Sequence, residues 1–270
     1  MPRIIAYSLC YNEAALLSAS IRWIYDLVDE FRVVIGSADD RLAGHPWGAF
    51  HQEPDKTSRA VLQAMPDPEK KLRIMAESPS WGDKQYMTDA ATQNLKGDIL
   101  LHLDADEFWP HETLKASIEA VLDSPNRAAP GHVLYWGTCE YLCESETGSS
   151  VWFKPPRVMT IQPNGMVRHM YPVVLNPSGK EIGNVVPISG KPVWHAAWTG
   201  QKRMERKRRF YAEGRRKPMF SPAQLAEWWK DKPTPFGPLD INVGRMKVMR
   251  TAEYFAPPSK LAEQIEEASV

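Results

Sequence analysis

An α/β fold built on a largely parallel sheet is what this 270-residue sequence predicts, on three observations. Short apolar, β-prone runs alternate with segments whose apolar residues recur at helical spacing. The runs end on polar or acidic residues, which puts 9–13, 36–40 and 104–107 on one rim, at the carboxyl ends of the strands where such sheets gather ligands. A hydrophobic content of 43% supplies a core for one large domain, or for a domain with an appendage.

The elements follow in order. "RIIAYSL" (3–9) reads as a strand feeding "CYNEAALLSASIRWIYDLVDE", a helix with Asn12 suited to the N-cap, Glu13 to the first turn, and Leu16, Leu17, Ile21, Ile24 and Leu27 at helical spacing. "FRVVIG" is a second strand ending at Gly36 before the polar turn "SADD". Residues 41–72, punctuated by Pro and Gly, hold one short helix around "KTSRAVLQAM". "LRIMA" is a third strand, and "DKQYMTDAATQNLKG" a helix closed by Gly97. "DILLHL" is the fourth strand, running straight into Asp104, Asp106 and Glu107. "PHETLKASIEAVL" is a helix with Pro110 near its start. The later β-prone runs "HVLYWG", "VWFK", "RVMTI" and "KPVWHAAW" extend the sheet with antiparallel strands. From Gln201 a basic helix, "KRMERKRRFYAE", leads into a tail, so the expected division is a domain over 1–200 and a helical C-terminal extension over 201–270.

Basic and acidic residues balance at 33 each, so the whole molecule is not an obvious polyanion binder, nucleic acid is not an expected partner, and electrostatic function is local. No apolar stretch reaches membrane-spanning length and the first residues lack a signal-peptide pattern, from which a cytoplasmic location is the expectation. Cys10, Cys139 and Cys143 suit a reducing compartment as inert thiols, because the Cys139 and Cys143 pair has no second ligand pair at zinc spacing.

Asp104 and Asp106 flank one small residue at a strand end. If the chain turns there, both carboxylates can reach one divalent ion, with positions left for a diphosphate and water. The plainer alternative is a helix N-terminus decorated with acids, since a helix begins at about Pro110.

Three blocks, "CYNEAALLSASIRWIYDLVDEFRVVIGSADD", "WGDKQYMTDAATQNLKGDILLHLDADEFW" and "VWHAAWTGQKRMERKRRFY", resemble in order those of family 2 glycosyltransferases of the GT-A fold. The similarity is greatest to bacterial sugar transferases that act on lipopolysaccharide core and related glycans, and it spans most of residues 3–211. It implies inverting transfer from a nucleotide-activated sugar, with UDP-sugar favoured and GDP-sugar an alternative, and with Mn²⁺ or Mg²⁺ held by the D-x-D motif. On this resemblance the donor half is about 1–109 and the acceptor half about 110–200. Leu9, Tyr11, Asn12 and Glu13 match the first nucleotide-binding loop; Ser37, Asp39 and Asp40 match the loop after the second strand. Lys84 matches a basic residue facing the donor, and Lys207 and Tyr211 a late K-x-x-x-Y element. Asp106 is implied as direct metal ligand, Asp104 as a contact to ribose, donor sugar or metal, and His195 as a further metal ligand. The implied acceptor is a glycan or lipid-linked hydroxyl compound.

The chain departs from the family at three places. The usual G-S-x-D turn appears as "GSADD", which leaves Asp39 and Asp40 competing for the acid's role. Gln85 stands where many relatives have Asn, and Met170, in "RHMYP", falls at the glutamate of the usual V-H-E. Since Met cannot take a proton, the remaining base candidates are Glu140, Glu181, Glu107 and His169. Trp81, Trp109, Trp136 and Trp198 near the rim are either sugar platforms or core. The basic run over 202–217 is a solvated face, a donor-phosphate contact, or a contact to the acidic inner face of a membrane. Two rivals stand beside this reading: a haloacid-dehalogenase-like phosphatase, whose D-x-D also follows an apolar strand, and a non-catalytic module binding glycans or polyanions.

Overall fold

The structure is a computed structural model. It describes residues 2–38, 55, 57–95, 99–123, 128–130, 133–137, 140–145, 156–161, 166–169, 173–175, 178–179, 193–198, 241–243, 246–250 and 259–268.

The first sheet is the α/β sheet expected from the sequence. Strands β1 (Ile4–Cys10), β2 (Glu30–Ala38), β3 (Leu72–Trp81) and β4 (Ile99–His102) run parallel, in the order β3-β2-β1-β4. On the far side of β4, β9 (Pro156–Thr160) pairs antiparallel and β6 (Ala128–Pro130) closes the edge. This is a mixed, Rossmann-like sheet.

Its strands are apolar on both faces because helices cover both. On one face Ala6, Val33, Ile35, Ile99 and Leu101 pack with Leu17 and Ile21 of α1 (Ala14–Trp23), Leu62 of α2 (Ser58–Ala64), and Leu114, Ile118 and Val121 of α4 (His111–Leu122). On the other, Ile5, Tyr7, Val34 and Leu100 meet Met87 and Ala91 of α3 (Lys84–Thr92). Each fully buried Leu or Ile contributes about 1.5–3 kcal/mol.

A second sheet has the order β13-β14-β8-β7-β12-β5. It contains β5 (Glu107–Phe108), β7 (Val133–Gly137), β8 (Glu140–Ser145), β12 (Val193–Trp198), β13 (Ile241–Val243) and β14 (Met246–Arg250). A hairpin of β10 (Met166–Arg168) and β11 (Val173–Leu175) forms a separate two-stranded sheet whose Val167 is buried in the core beside α3. The later strands thus divide between two sheets. The segment 201–270, expected to be helical, includes the β13–β14 pair as well as a helix, α5 (Ser259–Ala268). Residues 201–240, with the basic run and Tyr211, lie outside the described residues.

Local departures have physical reasons. Asn12 is not the N-cap of α1: it adopts φ 53°, a left-handed conformation Asn tolerates, and Glu13 occupies the cap position. At the end of α3 the left-handed residue is Asn94 (φ 60°), before the expected stop at Gly97. Gly36 does not end a strand but lies within β2, where pairing with β3 slips register.

Candidate functional site

The strand order reverses between β1 and β4, since β2 and β3 lie to one side of β1 and β4 to the other. The crevice beyond the carboxyl ends of β1 and β4 is where a sheet of this kind takes its ligand. Asp104 and Asp106 sit at that point. The chain leaves the first sheet at His102, turns through Leu103–Asp106 and enters the second at Glu107, and the turn is closed by Glu107 N–H donating to the Asp104 carbonyl at 3.0 Å. The acids therefore occupy the joint between two sheets rather than a helix N-terminus.

Beneath the turn is a buried polar cluster organised by Arg157. Register places Arg157 beside His102, because Val158 of β9 is opposite Leu101 of β4. Its Nε donates to both carboxylate oxygens of Glu107 at 3.0 Å, and Nη2 donates to Glu107 Oε1 and to Asp104 Oδ2, each at 2.6 Å. Nη1 donates to His102 Nδ1 at 3.1 Å. Because a guanidinium can only donate, His102 Nδ1 accepts and the ring proton resides on Nε2. That Nε2 lies 3.3 Å from Asp104 Oδ1 yet off the hydrogen-bond line, so this buried N–H has no hydrogen-bond partner. The His102 ring stacks on Tyr7, centroids 4.7 Å apart and planes 10° from parallel, and meets His169 edge-on at 5.9 Å.

The electrostatics follow from burial. Desolvation pushes the His102 imidazole down to about 3 and His169 to about 2; Arg157 and Lys84 push both the same way, and Asp104 opposes them. Both rings are therefore neutral, and the His102–Asp104 approach is not an ion pair. Burial alone would weaken the hold of Arg157 on its proton, but Asp104 and Glu107 outweigh it and shift the group upward. One guanidinium thus faces two carboxylates, and Lys84 adds a second positive charge nearby.

The sign of the resulting pH dependence can be stated. Unfolded, each histidine binds a proton as pH falls through the ordinary 6.5; folded, neither does until about pH 3 and 2. Between these limits the unfolded chain holds more protons, so stability falls as pH drops below about 6.5. We expect the urea midpoint to decline from pH 7 to pH 4.5 and the decline to be shallower in His169→Gln. Equal slopes in the two proteins would show that His169 is not buried neutral.

The first loop is fastened from a region of the sequence that looked least regular. Asp55 Oδ2 accepts from Asn12 N–H at 2.7 Å, and Oδ1 accepts from the N–H groups of Thr57 at 3.2 Å and Ser58 at 3.0 Å. Burial would raise the Asp55 carboxyl, and these hydrogen bonds outweigh it and hold it below its ordinary value. An Asp before Thr and Ser at a helix start is a legible capping signal. Its reach to Asn12 is not, because the two are far apart in sequence.

Other expected residues find varied places. Leu9, Tyr11 and Glu13 lie along the carboxyl end of β1 and its loop, half-buried. Ser37 is buried in β2, its hydroxyl donating to the Pro79 carbonyl at 3.2 Å. Lys84 opens α3, after Asp83 caps the helix by accepting from Gln85 N–H at 2.8 Å, and its charge reaches His102 and His169. Gln85 ties α3 to β10: its amide donates to the Val167 carbonyl at 2.7 Å and accepts from His169 N–H at 2.9 Å. The longer glutamine thus spans a gap between two elements. His195 lies on β12 directly opposite Glu107, so the backbone brings this late histidine to the acid turn. Glu140 opens β8 opposite Trp136, in the same sheet but beyond β7 and β12 from β5. Asp39, Asp40, Met170, Glu181 and Lys207 lie outside the described residues.

One base candidate is excluded, and one tryptophan falls to the core reading. Glu107 is fully buried and held by Arg157, so it is no base for an incoming hydroxyl. Trp109 is fully buried in the core, its carbonyl accepting from Trp23 Nε1 at 2.8 Å, and cannot face a sugar. His169, with its imidazole near 2, is a weak base in this setting. Trp81 is half-buried, and its indole N–H is committed to the Ile35 carbonyl at 3.0 Å.

Among the described residues no three His, Cys, Asp or Glu side chains converge to hold a metal ion. Carboxylate oxygens are the donors a hard divalent cation prefers, and the turn carries two acids, Asp104 and Asp106. Arg157 occupies Asp104 Oδ2, and Asp106 is buried.

No protein-family model matches the chain, and no curated protein is similar to it in sequence. Among solved structures, that of 4-diphosphocytidyl-2C-methyl-D-erythritol synthase is similar at 13% identity and a TM-score of 0.35, covering 59% of this chain and 74% of that one. So slight a likeness adds nothing to the strand order described above.

Proposed function

We propose that the chain is an inverting, metal-dependent glycosyltransferase that moves a sugar from a nucleoside diphosphate donor, UDP-sugar by preference and GDP-sugar otherwise, to a glycan or lipid-linked hydroxyl. The observation that carries this reading is the position of Asp104 and Asp106 on a turn at the point where the parallel strand order reverses. The order of the three sequence blocks supports it.

On this reading the loop of Tyr11, Asn12 and Glu13, held by Asp55, cradles the nucleoside, and Ser37, Asp39 and Asp40 are the residues that the family resemblance adds to it. Asp104 accepts a hydrogen bond from the ribose or donor sugar. Asp106 would hold Mn²⁺ or Mg²⁺, with His195 as a further ligand. When bound, such an ion supplies charge neutralisation for the diphosphate leaving group. Lys84 and Lys207 add positive charge on the phosphate side. The acceptor hydroxyl loses its proton to a carboxylate, for which Glu140 and Glu181 are the candidates.

Among the described residues no helix is long and apolar enough to cross a membrane. Contact with an acidic membrane surface through 202–217 is part of the proposal for a lipid-linked acceptor.

The test is calorimetric titration of UDP and of GDP, each with and without Mn²⁺. We expect one nucleotide to bind only with metal, and Asp106→Ala to lose that binding by at least tenfold, about 1.4 kcal/mol, with the circular dichroism spectrum retained. Metal-independent binding, or an unaffected Asp106→Ala, would remove the ion from Asp106. His195→Ala is expected to weaken Mn²⁺ affinity less severely.

A further inference from the structure

Arg157 does more than neutralise a buried acid. Glu107 is fully buried, and its carboxylate takes three of the guanidinium's contacts, which fixes the plane of the fork. With the plane fixed, the remaining N–H groups have one direction left, and they meet Asp104 Oδ2 and His102 Nδ1 there. Asp104 is different in kind: its side chain is 40% exposed and stands on a short turn. Such a carboxylate would ordinarily sample several rotamers. Here one oxygen is pinned to a buried anchor on a neighbouring strand, and the other is turned toward the His102 N–H at 3.3 Å.

We infer that Arg157 is a positioning residue: it fixes the Asp104 carboxylate through one oxygen, with the other held toward His102, and so sets the orientation in which the acid turn meets the donor. The fixed points are Glu107 on β5 and Arg157 on β9, one from each sheet, so the acid turn is aimed by the junction of the two sheets. This rests on the transferase reading for its consequence, while the geometry stands without it.

The experiment compares wild type, Arg157→Lys and the double variant Glu107→Leu with Arg157→Met, which removes the buried charge pair together and leaves Asp104 without its clamp. Carbodiimide coupling to glycine ethyl ester, read at Asp104 by fragment mass spectrometry, reports carboxylate freedom without any ligand. Calorimetry with UDP or GDP and Mn²⁺ reports donor binding.

We expect labelling of Asp104 to rise at least threefold and nucleotide affinity to fall at least tenfold in the double variant at an unchanged melting temperature. Arg157→Lys, which keeps the charge but not the fork, should fall between the two; if the double variant does not fold, this one carries the test. Labelling within twofold of wild type overturns the inference. So does raised labelling with nucleotide affinity unchanged, since Arg157 would then be structural only. A wild type that binds neither nucleotide sinks the transferase reading instead, and the labelling alone then decides whether Arg157 orients Asp104.

Discussion

Gly36→Ala should be among the most damaging single substitutions in this chain. Gly36 has φ 135°, and a Cβ there would lie 2.0 Å from the Ser78 carbonyl oxygen and 2.8 Å from Trp81 Nε1. The first obstacle is backbone of the adjacent strand, so no rotamer change relieves it. The second is an indole whose N–H is bonded to the Ile35 carbonyl. A strained backbone costs about 1–3 kcal/mol and overpacking about as much again, so we expect a loss of about 3 kcal/mol or more in urea unfolding. Gly82→Ala is the matched control: its Cβ would meet only the Tyr86 ring at 3.6–3.8 Å, an ordinary contact. A Gly36→Ala protein as stable as that control would mean that β2 and β3 are not so closely joined.

Arg157→Met alone should be comparably severe. It leaves the Glu107 carboxylate, which has no access to water, without its counter-charge, and breaking a buried pair from one side costs about 3–5 kcal/mol. Adding Glu107→Leu should recover most of that loss, because apolar replacement of both partners is often nearly neutral. Unfolding midpoints of wild type, Arg157→Met, Glu107→Leu and the double variant form a cycle that measures the coupling. Additive losses would show that the two side chains do not depend on each other.

What could be read from the sequence, and what could not, divides by distance along the chain. The strand–helix alternation from β1 to α4 was legible because each element carries its own periodicity, and the D-x-D turn was legible because a strand cannot sensibly continue through "DADE". Glu107 was read as one more rim acid because alternation does not reveal a buried carboxylate until its partner is known. That partner, Arg157, lies on β9 and was seen only as the first residue of the run "RVMTI". Asp55 escaped for the same reason: its cap is local, but its bond to Asn12 is not. The β13–β14 hairpin was missed because "INV" and "MKVMR" are too short to show a period and gain their strand character by pairing with β8.

Leu261 and Ile265 of α5 lie in one apolar cluster with Leu16 and Ala19 of α1, Phe108 of β5 and Trp194 of β12. The outer side of the first helix is therefore completed by residues near the other end of the sequence. On the ribosome, α1 and its sheet can assemble early, but this side of them stays bare until translation has passed residue 265. The growing chain thus carries an apolar seam until α5 is made, and fastening α5 across that seam is a long-range closure.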